Sequence, residues 1–483
     1  MPRILMVSSE ASPWAKTGGL ADVLGALPGA LAALGHAVGV VIPRYMGARD
    51  ARAHRIYDDL WIPVGDRWYH ASVWELKADG VSWFFVDQKE LFDRPGVYGF
   101  PDDHIRFALL SKAAIEIARR IFPADVLHCH DWPAALVPVF LRDIVDPNFI
   151  GMRTVLTIHN LGYQGVFDPG VMREVGLPQN LFRPDAIELW GKISFLKAGI
   201  VFADKLTTVS PKYAEEIQTQ EFGFSLEWLL ARRRADLSGI LNGVDYARWS
   251  PETDRTLPAR YSAADLAGKQ TCKRELLLEL GLPEEAMDRP LIGIVSRFAS
   301  QKGFDLLGVI PYELFSHSVY MAVLGNGEAQ IEGMFQWLQQ EFPGQVALRL
   351  GYDDALAHRI EAGSDLFIMP SRYEPCGLNQ IYSLRYGTVP VVRATGGLDD
   401  TVIDWPPDEA TGFKFHDYNG KALLDAILLA CGLWGDREAW TAMMVRGMRK
   451  DFSWRASAAE YSSLYAEIAS FPGENDSKLL NEA

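Results

Sequence analysis

The sequence predicts an α/β protein built from two Rossmann-like, doubly wound domains facing each other across a cleft. Short apolar runs alternate with amphipathic helical stretches, the pattern of a parallel sheet wrapped by helices. The same alternation starts afresh near Pro290. A chain of 483 residues also exceeds one core and suits about two domains of roughly 200 residues each.

In the first half, RILMVSS, AVGVVIP, VSWFFV, VLHCH and RTVLTIHN read as strands, separated by helical segments such as Leu20 to Leu34 and Ile105 to Ile121. The second series is PLIGIVSRF, YMAVLGNG, VALRLGY, DLFIMPS and TVPVVR. Between them, Asn242 to Ser262 is rich in Pro, Asp, Gly and Ser and reads as a linker. This places an N-terminal domain over 1–245 and a C-terminal domain over 246–455. A terminal helix over 456–472 is expected to pack back on the N-terminal domain, followed by a frayed tail at 473–483.

Sixty-two acids against 47 bases give a net charge of −15. That argues against nucleic acid, whose backbone needs a basic face, but leaves room for a small anion in a local basic pocket. Four cysteines, Cys129, Cys272, Cys376 and Cys431, stand far apart, so neither a zinc ribbon nor a disulfide framework is indicated. No signal peptide and no apolar run near the ~20 residues of a membrane span are visible, so a cytoplasmic protein without membrane partners is expected.

In doubly wound sheets ligands bind beyond the carboxyl ends of the strands, and the polar residues worth attention lie there. Lys16 precedes Gly18 and Gly19 where a strand enters a helix, an arrangement that suits a phosphate and equally a turn with a solvated lysine. Arg297 and Lys302 follow LIGIVS, and two cations aimed at one point suit a diphosphate. Glu374 lies in a Pro- and Gly-containing loop after DLFIMPS, its carboxylate directed toward the cleft rather than a core. Thr395, Gly396 and Gly397 form a second Gly-Gly turn with a nest of N–H donors. Asp131 and Trp132, then His159 and Asn160, end two strands of the first domain. Trp14, Trp132 and Tyr163 are placed either to stack on sugar rings or to pack a core. His128, His130 and His159 form a conceivable metal cluster, but H-x-H on one face of a strand is also what a packed sheet shows. GNG at 325–327 has Gln330 where a dinucleotide fingerprint has its third glycine, which weakens a dehydrogenase reading.

Taken in order, KTGGLADV, HCHDW, TIHNLGYQG, KAGIVFADKLTTVSP, GILNGVDYARWSPETD, SRFASQKGFDLL, MPSRYEPCGLNQIYSLRYG and TGGLDDTV resemble the bacterial glycogen synthases and plant starch synthases, from Met1 to about Tyr465. The resemblance implies a GT-B glycosyltransferase that retains configuration. It would move glucose from ADP-glucose to the non-reducing end of an α-1,4-glucan such as glycogen, elongating it and releasing ADP. It implies a donor site of Lys16, Gly18, Gly19, Arg297, Lys302, Tyr352 against adenine, Glu374, Cys376, Gly377, Leu378 and Thr395 to Gly397. Glu374 would be the essential carboxylate, with His159, Asp131, Arg297 and Lys302 completing the catalytic set. Asp131, Trp132, Asn160 and Tyr163 are expected on the acceptor side. No metal and no cofactor are expected, and a homo-oligomer is left open. A UDP-glucose-using glucan synthase and a non-catalytic glucan-binding regulator are the alternatives. Two departures stand out: Tyr382 occupies the place of a second glutamate found in many other retaining transferases, as it does in glycogen synthases, and Asp103 replaces an asparagine in D-N-x-x-R-F.

Overall fold

A computed structural model describes residues 1–142, 149, 151–406 and 408–469. The described residues form two compact units: Met1–Val209, Ala214–Gly243 and Trp454–Ala469 belong to the first, and Ser210–Tyr213 with Val244–Ser453 to the second. The end of the expected terminal helix at 470–472 and the tail at 473–483 lie outside the described residues.

The first unit carries β1 (Arg3–Val7), β2 (Ala37–Pro43), β3 (His54–Val64), β4 (Arg67–Ala78), β5 (Val81–Asp87), β6 (Val126–His130), β7 (Arg153–Ile158), β8 (Val166–Phe167), β9 (Glu188–Leu189), β10 (Lys192–Ser194), β11 (Lys205–Thr208) and β12 (Leu237–Gly239). Nine of them form one sheet in the order β12-β11-β7-β6-β1-β2-β5-β4-β3. Seven are parallel, and β3 and β4 extend one edge as an antiparallel hairpin. The direction of strand succession reverses between β1 and β6, the switch point at which open parallel sheets hold ligands. β1, β6 and β7 read as apolar runs because both faces of a parallel sheet are covered. The long hairpin was not among the strands expected from the sequence: its exposed positions bear His54, Asp58, Asp59, Trp61 and Trp68, which hide the apolar alternation. The small β8-β10-β9 sheet was missed for its two- and three-residue strands.

The second unit is an all-parallel sheet of β13 (Leu291–Phe298), β14 (Tyr320–Gly327), β15 (Val346–Leu350), β16 (Leu366–Met369), β17 (Val389–Arg393) and β18 (Phe413–Phe415), ordered β15-β14-β13-β16-β17-β18. Its switch point lies between β13 and β16. The expected linker is packed into this unit: Ser250 and Asp254 are buried, and Trp249 stacks on His358 at 3.7 Å and on Tyr382 at 3.9 Å.

The last described helix, Trp454–Ala469, packs on the first unit's helix Gly19–Ala33 and shares a core with Ile4, Leu24 and Val38 through Tyr461, Leu464 and Tyr465. Chain-terminal residues thus seal the flank of β1. Replacing the fully buried Tyr461 with Ala removes a ring that this core cannot refill, and a loss of about 3 kcal/mol is expected from comparable truncations. Calorimetry should show a lowered melting temperature; an unchanged one would mean the helix contributes nothing to the core.

Candidate active site

In the first unit, β1 runs into a loop closed by Glu10. This carboxylate, 3% exposed, accepts hydrogen bonds from the Thr17 amide (2.5 Å), the Thr17 hydroxyl (2.7 Å), the Gly18 amide (3.3 Å) and the Tyr98 hydroxyl (2.6 Å). In the turn that suits a phosphate or equally a solvated lysine, the protein's own carboxylate thus already occupies the Thr17 and Gly18 N–H groups. The chain just after Tyr98 is held by Asp103, whose carboxylate accepts from the Gly99 and Phe100 amides and pairs with the fully buried Arg106 at 2.5 Å. The aspartate at the family's asparagine position is thus fully bonded. Lys16 is half exposed and pairs with Asp22 at 2.7 Å, while Gly18 and Gly19 have open space around them.

Across the switch point, β6 delivers Asp131 in the left-handed region at φ 55°. Its Oδ1 accepts from the His159 amide at 2.7 Å, locking the end of β6 to the end of β7. Burial pushes the Asp131 carboxyl up to about 7, against the backbone hydrogen bonds of His159 and Asn160, which favour its charge. His159 is nine-tenths buried, and burial pushes its pKa down to about 3. Its Nε2 lies 3.0 Å from Nδ1 of His130. Asn160 caps its own turn by accepting from the Gly162 amide at 3.0 Å. Tyr163 is more than half exposed, but Trp132 is half-buried among Phe107, Phe167 and Phe195, with Gly165 so close that a Cβ would lie 2.4 Å from the ring. Trp14 is not at a sugar rim. It packs on Trp83 at 4.5 Å and on Phe85 in the core. Among the described residues no group of three His, Cys, Asp or Glu is placed to hold a metal ion, so His128, His130 and His159 do not form the conceivable cluster.

In the second unit, the loops after β13 and β16 meet. Lys302 Nζ lies 2.6 Å from Glu374 Oε2, and the Ser371 hydroxyl donates to the same oxygen at 3.0 Å. Glu374 is 5% exposed, so the carboxylate expected to point toward the cleft rather than a core is buried. Burial of a charge is tolerable because a cation and a hydroxyl satisfy it. The backbones are zipped as well: the Arg372 amide donates to the Gln301 carbonyl, and Gln301 Nε2 to the Tyr373 carbonyl. Arg297, by contrast, is exposed and makes no side-chain hydrogen bond or ion pair among the described residues, so the two cations expected to act on one point are differently engaged.

The Gly396–Gly397 turn is also not an open nest. Both residues are buried, and the Gly397 amide donates to the carbonyls of Glu374 (3.2 Å) and Pro375 (3.3 Å). A Cβ on Gly396, at φ 45°, would lie 1.9 Å from the Glu374 carbonyl oxygen. The glycines let one backbone press against another, and Thr395, 1% exposed, is packed beneath. Cys376 is buried and Gly377 and Leu378 lead into the helix Asn379–Arg385, where the Asn379 side-chain Nδ2 donates to the Val295 carbonyl at 2.6 Å. Tyr352 is 83% exposed at the end of β15, its hydroxyl donating to Asp354 at 3.1 Å. Tyr382 stacks on Trp249. Sequence reasoning missed Glu10 and Ser371; the signal for Glu10 was an acid just upstream of a Gly-Gly turn.

Two Rossmann-like units whose switch-point loops bear cations and a buried glutamate define a glycosyltransferase of the GT-B type. Residues 3–232 match the starch synthase catalytic domain and residues 283–442 the glycosyl transferases group 1 family. The chain is 49% identical to a glycogen synthase of Koribacter versatilis over 96% of this chain and 97% of that one. It is 50% identical to one of an Anaeromyxobacter strain over 96% and 99%. The catalytic domain of starch synthase IV from Arabidopsis thaliana, solved with ADP and acarbose, superposes with a TM-score of 0.89 at 34% identity, covering 97% of this chain and all of that one. A sucrose-phosphate synthase from Thermosynechococcus elongatus, at 20% identity and a TM-score of 0.59, shares the fold. This chain belongs to the glycogen synthase and starch synthase family.

Between the unfolded carboxyl value near 4 and its folded value of about 7, Asp131 binds more protons in the folded state. Its contribution to stability therefore falls as pH rises across that window and is constant above it. Asp131→Asn keeps the oxygen that accepts from His159 but cannot ionise, so melting temperatures measured over this range should lose that downward slope. Parallel pH profiles for the two proteins would refute the assignment.

Proposed function

We propose that this glycosyltransferase elongates α-1,4-glucan by transferring glucose from ADP-glucose to the non-reducing end, with retention of configuration and release of ADP. The observation that carries this reading is the near-full-length identity to glycogen synthases, combined with the buried Lys302–Glu374 pair at the switch point of the second unit. The ADP and acarbose of the structural relative support a nucleotide-sugar donor and a glucan acceptor here.

Arg297 and Lys302 hold the donor diphosphate in this reading, and Lys16 adds a third cation. Fixed cations stabilise the charge that builds on the leaving diphosphate as the glucosyl C1 gains oxocarbenium character. They do so without reorganising at the moment of reaction. Arg297 is available at once, whereas Lys302 is preset by Glu374 and exchanges part of that pairing for phosphate oxygen. Glu374, with Cys376, Gly377 and Leu378 alongside, faces the transferred glucose; Gly18 and Gly19, with open space around them, leave room for the donor, and Thr395 to Gly397 shape its surface through backbone packing. Tyr352 offers the open aromatic face for adenine. His159 and Asp131 line the glucose pocket, and Trp132, Asn160 and Tyr163 serve the acceptor. The acceptor 4-OH attacks from the face that the diphosphate leaves, and a departing phosphate oxygen takes its proton. A cytoplasmic setting is part of this reading; among the described residues no helix is long and apolar enough to cross a membrane.

ADP release from ADP-glucose, measured with and without glycogen and beside UDP-glucose, tests the reading: glycogen-dependent ADP release with chain elongation is expected, and no turnover of either donor would overturn it. Glu374→Gln should lower kcat at least about a hundredfold while donor KM stays within about threefold, since the loss falls on the transition state. Near-normal turnover would remove Glu374 from its role. Arg297→Ala, which removes a cation without disturbing any internal bond, should raise donor KM about tenfold and lower kcat as well; unchanged kinetics in steady-state assays would exclude it from the diphosphate site.

A further inference from the structure

Behind the first unit's switch point lies a line of buried polar side chains that the proposed reaction does not itself use. His128 bonds through Nε2 to the Thr157 hydroxyl at 2.6 Å and through Nδ1 to the Tyr465 hydroxyl at 2.7 Å. Its ring lies 4.1 Å, centroid to centroid, from that of His130. His130 is wholly buried, bonds through Nδ1 to His159 Nε2 at 3.0 Å, and has no partner at its other nitrogen among the described residues.

The 3.0 Å contact joins two ring nitrogens, so one donates and the other accepts. If His159 donated, the single proton of neutral His130 would sit on Nε2, a buried N–H with nothing to receive it. If His130 donates from Nδ1, its Nε2 is an unprotonated acceptor. Buried N–H groups without an acceptor are rarer in folded proteins than acceptors short of a donor, so the second arrangement prevails. His159 then accepts at Nε2 and carries its own proton on Nδ1, the ring nitrogen that bonds to no group among the described residues. Burial keeps both rings neutral, holding His130 well below its ordinary range and His159 near 3.

We propose that His130 is a positioning residue: by donating from Nδ1 it fixes the tautomer and ring orientation of His159, which then presents an Nδ1–H donor, and no acceptor, to the sugar hydroxyls. The use made of that donor rests on the proposed glucosyl pocket, but the tautomer itself does not. Packing alone would require a flat ring at 130; positioning requires a donor at its Nδ1.

Nitrogen-15 NMR of the full chain labelled in histidine separates the two. The wild type should show His159 protonated at Nδ1 and bare at Nε2. His130→Asn places an amide N–H near the Nδ1 position and should keep both that tautomer and most of the activity. His130→Phe keeps a flat ring but removes the donor; it should shift His159 toward protonation at Nε2 and lower kcat on the order of tenfold, the effect of one misdirected hydrogen bond, with donor KM little changed. An Nε2-protonated His159 in the wild type overturns the proposal, as does an unchanged tautomer in a folded His130→Phe. If His130→Phe does not fold, the wild-type spectrum and the His130→Asn variant still decide. The expected tautomer in a chain that turns over neither nucleotide sugar would uphold the role of His130 and overturn the functional reading alone.

Discussion

The Lys302–Glu374 ion pair is the contact on which the second unit's site depends. A carboxylate nineteen-twentieths out of water is costly unless a cation and further hydrogen bonds satisfy it, and both are supplied by neighbouring loops: Lys302 from the turn after β13 and Ser371 from the turn after β16. Because these strands flank the switch point, satisfying one charge ties together the two loops that any ligand there must touch. The Gly396–Gly397 turn closes the arrangement from a third side by pressing its backbone onto that of Glu374. A bulkier residue in the turn would push Glu374 out of line with Lys302.

The first unit solves the same problem with the signs arranged differently. Here the loop's amides are bonded to an internal acid, Glu10, and the cation Lys16 is left at the surface with Asp22. Glu10 is positioned by Tyr98, and Tyr98 by the loop that Asp103 and Arg106 hold, so a buried ion pair well outside the loop sets its shape. Asp131 and the histidines add a second layer, in which backbone amides and ring nitrogens orient one another with little help from solvent. Both units thus build rigid polar clusters at the carboxyl ends of parallel strands, where the strands themselves have no side chains left to pair.

Much of this was legible before any coordinates. The buried strands β1, β6, β7, β13 and β16 stand out because parallel sheets are apolar on both faces, and the residues beyond them stand out because the sheet ends there. Lys16, Arg297, Lys302 and Glu374 were found by that reasoning together with the family's motifs. The β3–β4 hairpin was not legible, since Arg55, Asp58, Asp59, Arg67 and Lys77 on its exposed positions, together with the exposed Trp61 and Trp68, hide the apolar alternation. The Gly-Gly turns were legible as special backbone but not as to what approaches them: one suits a phosphate or a solvated lysine and the other a nest of donors, while the Gly18 amide is taken by Glu10 and the Gly397 amide by carbonyls.

By itself, then, the sequence determined the two-fold repetition of a strand-and-helix unit, the chemistry available at the strand ends and, through ordered motifs, the family. Those follow from local periodicity and residue type, which a linear chain displays. Tertiary structure alone decided which charges are paired and which stand open: that Lys302 meets Glu374 while the Arg297 side chain has no ion-pair partner among the described residues, that Trp14 enters the core while Tyr163 does not, and that His130 touches His159. The partners in these contacts are separated by up to 72 residues. Hydrogen bonds and ion pairs act over a few ångströms in space, and sequence separation carries no information about that distance until the sheets have formed.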